Sequence, residues 1–99
     1  MRKIIENLDK MGYELEYAKE YAETYLEYKA EGKHITAKKY KDMANDELKH
    51  AAIIRDIAID DYKQLKAAYT PPAEMKQIWE KENAAYVDKA AWIKTMLNL

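Results

Sequence analysis

The sequence has no cysteine and no phenylalanine, and only two glycines and two prolines. Without cysteine there is no disulfide, no thiolate metal ligand and no cysteine nucleophile. So few turn formers leave no room for the many short strands of an all-β sandwich or barrel. Neither sign of charge is in surplus, with 17 Lys and Arg against 18 Asp and Glu. The strongly basic surface that favours nucleic acid or an anionic membrane is therefore not expected. No apolar run approaches the roughly 18 residues of a membrane span, and the opening Met1-Arg2-Lys3-Ile4-Ile5-Glu6-Asn7 lacks the apolar stretch of a signal peptide. These absences set the expectation of a soluble cytoplasmic protein without nucleic-acid or membrane partners. Its 99 residues suit one domain that buries roughly 60 to 70% of its unfolded surface.

What is present favours helices. Gly32 and the pair Pro71-Pro72 are the effective breakers, and they divide the chain into three helical segments at about residues 3–30, 36–69 and 72–96. Gly12 lies inside the first segment, where it is tolerated at about 1 kcal/mol relative to Ala. Thr36 is the expected N-cap of the second. Steps of 100° place Ile4, Leu8, Met11, Leu15, Ala18, Ala22 and Tyr25 on one arc of the first helix, with Leu26, Tyr21 and Tyr28 at its edge. The second helix carries Tyr40, Met43, Ala44, Ala51, Ile54, Ile57, Ala58, Tyr62, Leu65 and Ala68 on a face that has Glu47 and His50 at its middle. The third groups Met75, Ile78, Trp79, Tyr86, Ala90, Ile93 and Leu97, with Glu82 among them and Lys89 at the edge. The expected fold is all-α: an antiparallel helical hairpin, with the third helix folded back along the overhanging end of the second. Tyr13, Tyr17, Tyr25 and Tyr28 are assigned to packing or subunit contact, Trp79 to the core, Trp92 to an interface and His34 to an exposed helix end.

Three polar residues fall on these apolar arcs. A carboxylate or imidazole turned toward a core costs several kcal/mol unless it meets a strong partner, and Glu14, Glu47 and His50 share that problem. Glu47 and His50 form Glu-x-x-His, about 60° and about 4.5 Å apart on a helix, so that one carboxylate oxygen and one ring nitrogen can meet at a single cation. Glu14 lies 18 residues before Gly32 and Glu47 lies 15 after it, which puts the two within about one turn of each other in an antiparallel hairpin. The other Glu-x-x-His, Glu31-Gly-Lys-His34, falls in the turn, far from the level of Glu14.

The stretch from Met11 to Tyr21 (MGYELEYAKEY), followed through Gly32 by Asp46-Glu-Leu-Lys-His-Ala51, resembles the first two helices of bacterioferritin and, more loosely, of rubrerythrin. Within this ferritin-like superfamily the interval of 33 residues between the two glutamates matches, over about 55 residues without a gap. The resemblance implies Glu14, Glu47 and His50 as metal ligands, and Tyr21 as a tyrosine that hydrogen-bonds a ligating carboxylate and relays an electron. It implies a dinuclear iron site, with Mn or Zn as substitutes, and candidate ferroxidase chemistry. Haem is not implied, because the position of the family's haem-ligating methionine is Leu48.

The chain lacks the second Glu and the second Glu-x-x-His of a full ferritin-like bundle. Glu82 does not replace them: folding back from the prolines sets it near Asp61, roughly 20 Å from Glu47, and a polar contact of their own is expected for that pair. A second copy of the chain would supply the missing half, as in the small encapsulated ferritins that this design resembles. A homodimer or higher homo-oligomer closing a four-helix bundle around two metals is therefore the expected assembly. The rival expectation is a non-catalytic helical oligomerisation or adaptor protein whose carboxylate–histidine cluster is a relic or a structural metal site.

Overall fold

The computed structural model describes residues 1–99 and is all-helical, with α1 over Arg2–Ala30, α2 over His34–Ala68 and α3 over Ala73–Leu97. The molecule is a rod of 55 × 17 × 17 Å. No helix is long and apolar enough to cross a membrane.

Local chemistry sets the two turns. Gly32 has φ +76°, the left-handed conformation that costs an L side chain about 1–2 kcal/mol. There the amide of Gly32 donates to the Lys29 carbonyl at 3.0 Å and that of Lys33 to the Tyr28 carbonyl at 2.9 Å, the paired bonds of a Schellman motif. Lys33 then serves as the N-cap of α2, without a side-chain cap bond, so the helix begins two residues before the expected cap Thr36. Thr36 lies within the first turn instead. At the other end Thr70 precedes Pro71 and is disfavoured in the α region. Tyr69 is extended and α3 starts after Pro72, its N-cap.

Helices α1 and α2 pack along most of their length. The buried residues of α1 are Ile4, Leu8, Met11, Leu15, Ala18, Ala22 and Tyr25, the arc expected from sequence, and their alternating spacings of four and three make a coiled-coil seam. Facing them, α2 buries Ala37, Ala44, Leu48, Ala51, Ala58, Tyr62 and Leu65. Ala37, Ala44, Ala51 and Ala58 repeat every seven residues, and the last three expose none of their surface, so small side chains let the two backbones approach.

Two expectations are corrected here. The buried stripe of α2 keeps Ala44, Ala51, Ala58, Tyr62 and Leu65 of the expected face and adds Ala37 and Leu48, while Met43, Ile57, Ala68 and His50 are exposed. The third helix lies along α1 rather than along the overhang of α2, because the apolar arc of α1 extends through Ile5 and Leu26, which pack against the core. It runs in the same direction as α1. Lys89 Nζ donates to both carboxylate oxygens of Glu16 at 3.3 Å, an exposed contact at the rim of that seam. Further on, the Lys19 ammonium sits 5.3 Å from the Trp92 ring centroid, and Lys29 reaches the Leu99 carbonyl.

Side chains bridge α2 and α3. Tyr62 stacks on Trp79 with centroids 4.3 Å apart, the Arg55 guanidinium lies 4.7 Å from the Tyr86 ring, and Arg55 Nε donates to Asn83 Oδ1 at 3.1 Å. The polar link thus uses Arg55 and Asn83, not the expected Glu82 and Asp61.

Candidate metal centre

Glu14 is fixed on α1 between the buried Met11 and Leu15, at the side of the seam that α3 leaves open. Across the hairpin α2 presents Glu47 next to the buried Leu48, and His50 next to the buried Ala51. One potential ligand atom from each of Glu14, Glu47 and His50 lies within 4.8 Å of the others. The Schellman turn at Gly32 sets this level: it fixes where α2 begins, and so which residue of α2 stands opposite Glu14.

The three differ in surroundings. Glu14 and Glu47 are half-buried and His50 is exposed. His50 Nδ1 stands 3.9 Å from Glu47 Oε2, too far for a direct hydrogen bond. Glu47 Oε2 is buried and has no hydrogen-bond partner, and it is the one side-chain oxygen or nitrogen of the chain in that condition. A buried acceptor left unpaired costs about 1–3 kcal/mol, more when charged. A cation held between the two carboxylates and the imidazole would remove that cost. The donor set fits such an ion: hard carboxylate oxygens with one imidazole suit Fe, Mn and, less selectively, Zn.

Tyr21 is not brought into this group. Its ring packs at 6.2 Å and 46° against Tyr40, which in turn stacks on Tyr28 at 5.5 Å. No hydrogen bond joins Tyr21 to either carboxylate. Tyr40, which the sequence assigns only to an apolar face, is the aromatic neighbour of Tyr21 across the hairpin. Its signal was available: it precedes Glu47 by seven residues, mirroring the seven by which Tyr21 follows Glu14. His34 is the exposed first residue of α2, at the turn end of the rod and apart from the cluster.

Both helices that carry the cluster also expose aromatic or aliphatic side chains. Tyr17 and Tyr13 on α1, and Met43, Ile53 and Ile57 on α2, are all exposed. No described protein family, curated protein or solved structure matches this chain. The resemblance to ferritin-like hairpins thus rests on the residues quoted above and on their spacing.

Proposed function

We propose that this chain is a ferritin-like dinuclear metal-binding protein. In this reading two copies close a four-helix bundle around two iron ions, and the candidate reaction is ferroxidation, the oxidation of Fe(II) by dioxygen or peroxide. The observation that carries it is the buried, unpaired Glu47 Oε2 set among the donor atoms of Glu14 and His50. One chain offers two carboxylates and one imidazole, a half-set, and the exposed Tyr17, Met43 and Ile57 on the same helices suit burial by a second copy. Together the copies provide four Glu and two His, the ligand set of a dinuclear carboxylate site. Glu47 and Glu14 would supply carboxylate oxygens to the metals and His50 an imidazole nitrogen, each together with its counterpart in the second copy. Iron bound there supplies one-electron redox chemistry, while the protein positions the ligands and keeps bulk water from the site.

The test is elemental analysis of tag-free protein loaded anaerobically with Fe(II) and desalted. About one metal per chain is expected, with none retained by Glu47→Ala at unchanged helicity. Full retention in that variant sinks the assignment.

The alternative is a non-catalytic oligomerisation or adaptor protein with a relic or structural site. It is favoured by the exposed Tyr13, Tyr17, Ile53 and Ile57, which need a partner but no metal. With an empty relic site neither Fe(II) nor Mn(II) alters stability, whereas a structural site would raise it without any Fe(II) oxidation.

A further inference from the structure

Helix α2 carries two coiled-coil seams, and only one is fully packed within the chain; of the second, Tyr40 and Ile54 pack partly against the core while Met43, His50 and Ile57 stay exposed. The first consists of its buried residues Ala37, Ala44, Leu48, Ala51, Ala58, Tyr62 and Leu65, with half-buried Lys41 and Arg55 at the intervening positions. It faces α1, and reaches α3 through Arg55 and Tyr62. The second lies one residue earlier all along the helix: Tyr40, Met43, Glu47, His50, Ile54, Ile57 and Asp61. Its spacings are three, four, three, four, three, four, the unbroken alternation of an a/d stripe. Met43, His50 and Ile57 are exposed, and the rest are half-buried. A helix already packed through one such seam and carrying another is built to take a further helix at coiled-coil distance.

We infer that this second seam pairs with its own copy in a second chain, antiparallel, about a two-fold axis that crosses α2 between Leu48 and Lys49. The inference takes the homodimer from the reading above and adds its orientation and register. An antiparallel coiled coil sets a positions of one helix against d positions of the other. With Tyr40, Glu47, Ile54 and Asp61 as a, and Met43, His50 and Ile57 as d, that axis places Glu47 opposite His50 of the second copy. It also places Met43 opposite Ile54, and Tyr40 opposite Ile57. Polar residues meet polar ones, a carboxylate acceptor against an imidazole N–H donor, and apolar residues meet apolar ones, while Lys39, flanking the seam, stands against Asp60 of the second copy.

The competing registers are worse. A shift by one heptad sets Glu47 against Met43 or Ile57 of the other chain and leaves a carboxylate buried on an aliphatic surface, which is costly. A parallel in-register pair sets Glu47 on Glu47 and His50 on His50, like on like. The unpaired Glu47 Oε2 lies on this seam, so the oxygen without a partner in one chain faces an imidazole across the axis.

Since the chain has no cysteine, introduced thiols are the only ones present. The double variant Met43→Cys/Ile54→Cys, treated with a short thiol-to-thiol cross-linker in the presence of chelator, is expected to run as a covalent dimer. Its two thiols are 11 residues and so about 16 Å apart on one helix, beyond the reach of a short cross-link within a chain. Each single variant is expected to stay monomeric on a denaturing gel, because its thiol meets its counterpart at that same distance. Tyr40→Cys/Ile57→Cys repeats the test at a second layer should the first pair impair folding, which circular dichroism would reveal.

Cross-linking of Met43→Cys alone overturns the register. So does a doubly substituted, folded protein that fails to cross-link, whether it sediments as a monomer or as a dimer through another face. Because metal is absent throughout, failure here leaves the metal-content test standing, and loss of metal binding leaves the register standing.

Discussion

A methyl group built onto Gly12 meets no atom within 4 Å, and the residue lies in mid-helix without the positive φ that Gly32 requires. Gly12→Ala therefore adds helix propensity at no steric cost. It is expected to stabilise the fold by about 1 kcal/mol, raising the thermal midpoint by roughly 4–8 °C for a chain of this size. Unchanged or lower stability in calorimetry at matched protein concentration would contradict the open space on that side of α1. The same substitution at Gly32 works in the opposite direction, since the Schellman turn needs φ +76°. Among the candidate ligands, the residue types and their spacing already singled out Glu14, Glu47 and His50. That Glu47 alone holds an unpaired buried oxygen was not legible, because partners for a carboxylate come from other elements at distances no pattern specifies. Tyr21 shows the limit at this scale. Its spacing from Glu14 was readable, but its ring turns to Tyr40, a contact set by how two helices face each other.

Helix boundaries followed from a few residues: Gly32 and the prolines placed the breaks, and the alternating apolar spacing of α1 identified its buried seam. On α2 the same periodicity was ambiguous, because apolar residues cover two adjacent stripes. Packing chose the stripe with the alanine column, since small side chains permit the closest approach to α1, and left the bulkier Met43 and Ile57 outside. A larger residue in that column must push the helices apart. Ala51→Leu, at a position with no exposed surface, is expected to cost about 1–3 kcal/mol through overpacking. The check is a lower urea midpoint at an unchanged denaturant slope. Stability equal to that of the parent would mean that the column is not a line of close contact.

At the scale of the whole molecule, the proposed metal binding would be linked to folding. An ion held only by the folded dimer stabilises it by about 2.7 kcal/mol when present at a hundredfold excess over its dissociation constant. Mn(II), which tests the ligands without oxygen chemistry, is expected to raise the thermal midpoint of the parent chain and to leave that of His50→Ala unmoved. A midpoint that ignores Mn(II) and chelator alike would support the adaptor reading. The proposed dimer would form by mass action, so its midpoint is expected to rise with protein concentration as well.

The sequence alone determined the helical class, the three segments, the seam of α1 and the trio of candidate ligands. Each depends on residue type and on spacing along one chain, and helical periodicity converts those directly into a face. Only the tertiary structure decided that α3 lies on α1, that α2 buries Leu48 and leaves His50 exposed, and that Glu47 Oε2 is without a partner. Those outcomes depend on which of several apolar faces come into contact. That choice is made by side-chain volume and the fit between helices, and neither is written in the periodicity of any one of them.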